Sequence, residues 1–274
     1  MCTMKKKKLR YFKPSDYIFV ICAYGQSPYL EECIYSLKNQ TLPVKILLVT
    51  STPNSYIKSL VNKYNLEYYV NPCKNGIAED WNFAIRMSKG RIVTIAHQDD
   101  LYEPDFAHKT IESLNRQSNP LIAFTNYGEI RNGKKIIRSR TLGIKRSMLL
   151  PLKNRTFQKL CFVRRRILSM GNMICCPSVT YVKEVLPNSL FISGFRSNVD
   201  WQAWERISKL KGAFVYCHDI LMYHRIHEGS ATSEIIADNI RSKEDYEMLC
   251  KFWPKWLAGI IEHFYKKGED ENSL

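Results

Sequence analysis

The sequence predicts an α/β fold, a single domain built on a mixed, mainly parallel sheet flanked by helices. Three observations predict it. Strand-like and helix-like stretches alternate four times between Tyr17 and Ala96, the signature of βαβ units. The strand-like runs are continuously apolar and rich in β-formers, as in sheets covered on both faces. Polar residues gather at the carboxyl ends of these runs, where open parallel sheets take their ligands.

The elements follow in order. Tyr17–Ala23 is the first strand, and a turn at Tyr24-Gly25-Gln26-Ser27 ends it. Ser27 is the expected N-cap of the next helix, with Pro28 at its first position and Glu31 and Glu32 in its first turn. Leu30, Cys33, Ile34 and Leu37 recur at helical spacing. Residues 44–49 read as the second strand. Pro53 and Asn54 open a second helix with Ile57, Leu60, Val61 and Tyr64 on one face. Residues 66–70 are the third strand. Ile77, Trp81, Ala84, Ile85 and Ser88 form a third helix, ended by Gly90. Residues 91–96 are the fourth strand, and its end carries His97-Gln98-Asp99-Asp100.

The second half is less regular. Residues 121–127 read as a strand, and Asn132-Gly133 as a hairpin turn. Residues 155–170 read as a basic amphipathic helix, 179–182 as a strand and 199–210 as a helix. Two short strands, 213–217 and 220–223, precede a helix over 234–252. A frayed end follows Gly268.

Composition narrows the class. The chain has 274 residues, room for a sizeable core. Nine cysteines, an odd number without framework spacing, read as free thiols in a reducing compartment. The adjacent Cys175-Cys176 pair lacks the spacing of a zinc site. No apolar run is long enough to span a bilayer, and no apolar segment of a secretory signal follows the basic N-terminus. These readings place the chain in the cytoplasm. The formal net charge of +15 is partly clustered, at residues 5–10, at Lys134, Lys135, Arg138 and Arg140, and at residues 164–166. Such a balance suits nucleic acid, an anionic membrane or a pyrophosphate. Nucleic acid is disfavoured, because the aromatics are not interleaved with the basic clusters.

Three constellations carry chemistry. Asp99 and Asp100 stand together at a strand end, where two carboxylates repel unless a cation joins them. Mg²⁺ or Mn²⁺ held by one or two carboxylates and substrate phosphates would do so. Either Asp is equally an N-cap for a helix near Glu103 and Pro104. Asp200 opens a helix beside Trp201 and Trp204, a carboxylate placed for general-base work over an aromatic floor for a sugar ring. It reads as well as an N-cap beside core tryptophans. His224, Arg225 and His227 form a polar turn able to meet metal or phosphate, or simply to sit at the surface.

The order of these segments resembles the family-2 glycosyltransferases of the GT-A fold, a Rossmann-like architecture. The likeness runs over about 17–232 and is most specific in residues 33–40, 75–90 and 97–100. It implies a basic, disordered tail over 1–16, a nucleotide-binding half over 17–127, an acceptor-binding half over 128–232 and a helical extension over 233–274. It also implies a nucleotide-diphosphate sugar as donor, a UDP-sugar first among them, lying across the ends of the first strands. Ala23 and Tyr24 match the first contact segment, with Ser51 at the end of the second strand. Gly76, Asp80 and Asn82 match the segment beside base and ribose. His97-Gln98-Asp99 matches the DxD motif, with Asp99 as its metal-binding member for Mn²⁺ or Mg²⁺. Asp200 matches the catalytic base of inverting members, with Glu205 or Asp100 next in line. His227 matches the histidine that reaches back to the metal or the diphosphate, and Arg225 is placed to assist the leaving group.

Two positions depart from the family pattern. Val49-Thr50-Ser51-Thr52-Pro53 replaces the usual Asp-Asp-Gly-Ser, so a carboxylate that often holds uracil is missing. The first Asp of DxD is His97. No QxxRW-like segment follows Asp200, which argues against a processive synthase. The implied acceptor is a glycan or lipid-linked hydroxyl of bacterial-type surface polysaccharide synthesis, with peripheral contact to an anionic membrane. The rivals are a nucleotidyl-type transferase, an inactive scaffold of the same fold and a basic nucleic-acid-binding protein.

Overall fold

A computed structural model describes residues 11–73, 75–227 and 240–270. Among them the first half alternates as the sequence predicts: β1 (Tyr17–Ala23), α1 (Leu30–Lys38), β2 (Lys45–Thr50), α2 (Ser55–Tyr64), β3 (Glu67–Val70), α3 (Ile77–Met87) and β4 (Ile92–His97). Then come β5 (Leu101–Tyr102), α4 (Phe106–Asn115), β6 (Pro120–Arg131), β7 (Lys134–Ile136), α5 (Arg140–Leu149) and α6 (Cys161–Leu168). The chain continues through β8 (Val179–Val182), α7 (Val199–Ser208), β9 (Ala213–Ile226), α8 (Ile240–Leu249) and α9 (Lys255–Asp270).

The strands form one mixed sheet in the order β3-β2-β1-β4-β8-β6-β9-β5, with β7 paired to β6. β1 lies between β2 and β4, parallel to both. Ala23 is level with Thr50, and Cys22 is level with Val49 and His97. The three apolar strands therefore end side by side, and the polar segments that follow them open into one crevice. β8 runs antiparallel to β4 and β6. A buried hydroxyl chain ties this junction: Tyr17 Oη lies 2.5 Å from Thr94 Oγ1, which lies 2.6 Å from Thr180 Oγ1. Burial pushes the Tyr17 phenol up, so it stays a neutral partner.

Helices cover both faces of the sheet. Leu30, Ile34, Ile57, Phe106 and Ile111 fill one face. Trp81, Leu168, Trp201, Trp204 and Met248 help fill the other. The Asn132-Gly133 turn joins β6 to β7 as expected, both residues at positive φ (49° and 74°). That backbone matches the twist of a tight hairpin.

Several expectations change. The tail ends earlier than residue 16. Phe12 is buried, and its backbone N–H and C=O bond the Asn115 side chain at 2.8 and 2.9 Å. Residues 1–10 lie outside the described residues. Helix α1 starts at Leu30, so Ser27 is not its N-cap. Helix α3 ends at Met87, two residues before the Lys89-Gly90 pair. The two strands expected over 213–223 are one, β9. It bulges beside Thr125 and Asn126, where Asn126 Nδ2 donates to the His218 carbonyl at 2.6 Å. The helix expected over 234–252 is α8 over Ile240–Leu249, ending three residues early, and 228–239 lie outside the described residues. The last helix carries past Gly268 to Asp270.

The basic helix expected over 155–170 is the largest change. A 3₁₀ turn at Phe157–Lys159 precedes a shorter α6. Its Arg164 is only 1% exposed. The guanidinium donates to the carbonyls of Lys159 (2.9 Å), Ser208 (2.8 Å), Leu210 (2.8 Å) and Gly212, and stacks on Phe214. It closes the end of α7, where helix carbonyls lack partners of their own. Arg164 is thus internal scaffold, not surface charge. Arg164→Met should lower the unfolding free energy by about 3–5 kcal/mol, because a buried partner set is left unpaired. Urea denaturation checks this, and a loss below 1 kcal/mol would show the carbonyls finding other donors.

Candidate active site

The crevice at the ends of β1, β2 and β4 is built from short polar links. The turn after β1 is pinned to the turn after β2: the Gly25 N–H donates to Thr52 Oγ1 at 2.7 Å, and Asn54 Nδ2 donates to the Gly25 carbonyl at 2.9 Å. Ala23 is buried at the end of β1. Tyr24 holds the Gln98 amide through both backbone groups, donating at 2.9 Å and accepting at 3.0 Å, while its ring is exposed. Gln98 thus fixes the first turn against the DxD-like segment.

At one end of the crevice, Asp80 in the first turn of α3 accepts from Ser51 Oγ at 2.9 Å and from Asn71 Nδ2 at 2.8 Å. A carboxylate therefore does stand beside β2, supplied by α3 rather than by the strand's own loop. Gly76, at φ 85°, turns the chain into α3 in the left-handed region that favours glycine. Asn82 is engaged within the protein. Its side chain is buried, accepts from the Leu190 and Phe191 N–H groups at 3.1 and 3.0 Å, and donates to the Phe191 carbonyl at 2.7 Å. Its amide clamps the loop before α7, so its hydrogen-bonding groups are taken up within the protein.

At the other end, neither Asp99 nor Asp100 caps a helix: Asp105 precedes α4. The two carboxylates have different environments. Asp100 is fully buried, accepting from the Arg225 N–H at 2.9 Å, with His224 Nδ1 at 3.0 Å. Burial would raise its pKa, but the facing imidazole and N–H win and hold it below the ordinary value. His224 is raised in turn by Asp100, against its own burial. Asp99 faces the crevice. Its Oδ1 accepts from Ser27 Oγ, and its Oδ2 lies 3.4 Å from His227 Nε2. The His97 ring stacks on Trp81 at 5.3 Å, and its Nε2 is buried with no hydrogen-bond partner among the described residues. Burial pulls its pKa down, so it stays neutral.

Arg225 is buried and committed. It donates to the Asp99 carbonyl at 2.9 Å and to Glu32 at 2.5 Å, and lies 4.3 Å from the Tyr29 ring. It braces Asp99 rather than reaching for a leaving group. The Glu228-Gly229-Ser230-Ala231-Thr232 stretch lies outside the described residues.

Asp200 is half-buried in the first turn of α7. Its Oδ2 accepts from Asn172 Nδ2 at 2.8 Å and its Oδ1 from the Trp201 N–H at 2.7 Å. Burial pushes its pKa above the ordinary carboxylate value. Burial raises the Cys175 thiol first, and the charges of Asp100 and Asp200 both add to that rise. Trp201 and Trp204 are 1% and 0% exposed, so they are core and form no floor for a sugar. Glu205 is buried and paired with Arg165 and Lys209, both at 2.7 Å. With Asp100 also paired, neither alternate base is open to an acceptor.

Sequence reasoning missed the residues that hold this frame. Glu244 of α8 accepts the N–H groups of Arg196, Ser197 and Asn198 at 2.7, 2.8 and 2.9 Å, and Asp245 accepts from Asn198 Nδ2 at 2.6 Å. These two carboxylates set the entry to α7 and hence the place of Asp200. Their separation from it in sequence left no motif to find. Asn172 was missed for the same reason, and Ser27 reads in the sequence as an N-cap rather than as a partner of Asp99.

A metal fits this site in a limited way. Among the described residues no three His, Cys, Asp or Glu side chains converge as a cage. Asp99 and His227 present one oxygen and one nitrogen to the same point, the sparse protein set that Mg²⁺ or Mn²⁺ accepts when substrate phosphates complete it.

The strand order, with Asp99 at the carboxyl ends of parallel strands, is the arrangement expected of a GT-A fold. The chain belongs to glycosyl transferase family 2, whose match covers residues 18–178. An uncharacterized glycosyltransferase of Rickettsia typhi is 22% identical over 249 residues, 89% of this chain and 72% of the relative. The fold is similar to S. aureus TarS solved with UDP-GlcNAc (TM-score 0.59, 16% identity, 90% of this chain and 70% of that one). It is also similar to the mannosyltransferase PcManGT of Pyrobaculum calidifontis, solved with GDP-Man and Mn²⁺ (TM-score 0.61, 14% identity, 89% and 67%). Asp200 and His227 lie beyond the family match.

Proposed function

We propose that the chain is an inverting, non-processive transferase that moves a sugar from a nucleotide-diphosphate donor to an acceptor hydroxyl. The observation that carries this reading is the division of labour between two carboxylates: Asp99 paired with His227 in the crevice, and Asp200 raised by burial on the acceptor side. The nucleoside lies toward Ser51, Gly76 and Asp80, and the diphosphate toward His97, Asp99 and His227. Asp80 keeps lone pairs free beyond its two protein donors, which suits an N–H of a base, and a UDP-sugar is the first donor proposed. The ligands in TarS and PcManGT support a nucleotide sugar in this fold.

Asp200 takes the proton of the acceptor hydroxyl as its oxygen bonds to the anomeric carbon. The bond from that carbon to the diphosphate breaks, and the nucleoside diphosphate leaves with the electron pair. Asp99 and His227 would hold Mn²⁺ or Mg²⁺, which when bound offsets negative charge on the diphosphate. His97, stacked on Trp81 and kept neutral by burial, stands on the diphosphate side of the site.

The acceptor is a glycan or lipid-linked hydroxyl of a surface-polysaccharide pathway, met in the cytoplasm at an anionic membrane. Among the described residues no helix is long and apolar enough to cross a membrane. Thermal-shift measurements with nucleoside diphosphates and nucleotide sugars, with and without Mn²⁺, test the reading. A donor at 100 times its dissociation constant should add about 2.7 kcal/mol of stability. No shift with any donor, with metal present, would remove the transferase reading and leave the inactive scaffold.

A further inference from the structure

From Arg131 to Lys183 the chain holds fourteen lysines and arginines and no aspartate or glutamate. The same stretch exposes large apolar side chains: Phe162 is 73% exposed, Ile144 53%, Leu150 52% and Leu160 44%. They come from α5, the 3₁₀ turns that follow it and α6, which pack one on the next. Helix α9 adds Trp256 at 69% and Ile260 at 48%, four residues apart and so on one face. Arg166 joins the two parts. Its guanidinium lies 5.8 Å from the Phe162 ring and 4.4 Å from the ring of Trp253, just before α9. Scattered apolar residues are ordinary on a monomer, but a cluster within a one-sign charge field is not.

We infer that this face, from α5 through α6 with the start of α9, docks on an anionic lipid bilayer. Phe162 and Trp256 enter at the head-group level, and Lys153, Lys159, Arg166 and Lys255 meet lipid phosphates. Charge selects this occupant. A protein partner would have to match this lysine- and arginine-rich stretch with a long acidic one, whereas an anionic leaflet supplies that field everywhere. Exposed aromatics beside long cationic stems are the residues that interfaces favour, since ring and stem sit in the apolar boundary and the charge reaches water. Of the Arg164–166 run only Arg166 takes part: Arg164 is internal, and Arg165 pairs with Glu205.

Its purpose rests on the transferase reading. Helix α6 starts on this face, and Asn172, just past its end, bonds Asp200. One segment thus links the bilayer to the proposed base, which suits a lipid-linked acceptor.

Vesicle flotation of the full chain tests the docking. Vesicles of phosphatidylcholine alone are compared with vesicles containing phosphatidylglycerol, at low and high salt. The parent should bind the anionic vesicles at least about tenfold more tightly and lose binding as salt rises. Phe162→Ser with Trp256→Ser should weaken binding at least about tenfold, at unchanged melting temperature. Lys153→Ser with Lys159→Ser should flatten the salt dependence. Equal binding by the aromatic variant, or no binding by the parent at low salt, overturns the inference. So does a parent dimer that the aromatic variant dissolves, which would make the face a subunit interface. Nucleotide binding without vesicles is measured alongside: its loss in the parent would sink the transferase reading while leaving the bilayer result standing.

Discussion

Asp200→Asn is expected to fold, to bind donor nucleotide as the parent does, and to transfer sugar at least about 100-fold more slowly, the lower range for loss of a general base. The structure explains why the fold should survive. Asn172 Nδ2 now donates to the carboxylate, while Asn172 Oδ1 is buried with no hydrogen-bond partner among the described residues. Turning the Asn172 amide over lets it accept from the new side-chain NH₂, so the pair is kept. The Trp201 N–H keeps an oxygen to bond.

The pH dependence follows from the raised pKa of Asp200. A base acts in its ionised form, so transfer should rise with pH through a kinetic pKa above the ordinary carboxylate value of about 3.9. Stability runs the other way. A carboxyl whose folded pKa is raised favours the fold when protonated. That advantage is complete below the unfolded pKa and is lost as pH climbs to the folded one. Asp200→Asn should therefore be at least as stable as the parent at neutral pH, with any gain vanishing in acid. Rates across pH, melting curves and donor affinities check all three. A variant that transfers normally would sink the assignment, since Glu205 and Asp100 are already paired and buried.

Asp99→Ala carries the second large effect. Nucleoside-diphosphate binding by the parent should strengthen with Mn²⁺ or Mg²⁺ and weaken with a chelator. In the variant that response should disappear, and transfer should fall by about 100-fold or more, the scale on which charge stabilisation at a leaving group acts. Ser27→Ala, which removes the hydroxyl that orients Asp99, should give a smaller loss of about tenfold, the lower end for partners one step removed from a metal ligand. Titration calorimetry at fixed nucleotide with varied metal reads both. Binding that ignores metal equally in parent and variant would mean that Asp99 and His227 hold the diphosphate without an ion.

The parts legible in the sequence were those that local chemistry decides. Continuous apolar runs specify strands buried on both faces, and their alternation with helical periodicity fixes a parallel order. That was enough to place β1 through β4 within a residue or two and to bring His97-Gln98-Asp99 to a strand end. The same periodicity failed over residues 155–170, because a run of basic residues looks solvated until Arg164 meets the carbonyls of Ser208, Leu210 and Gly212, more than forty positions away.

By itself the sequence determined the class of fold, the family and the segments that face the crevice, since each rests on residues near one another in the chain. The tertiary structure alone decided which polar group does what. Asp99 and Asp100 are adjacent in sequence, yet only Asp99 faces the crevice, because His224 and the Arg225 N–H from β9 consume its neighbour. Asp80 gains its place beside β2 only through Ser51 and Asn71. The tryptophans beside Asp200 turn inward because α7 packs on the sheet through that side. Glu244 sets the start of α7 from a helix more than forty residues later. A side chain's hydrogen-bond partners and exposure depend on elements distant in the chain, and these are what separate a ligand from a brace.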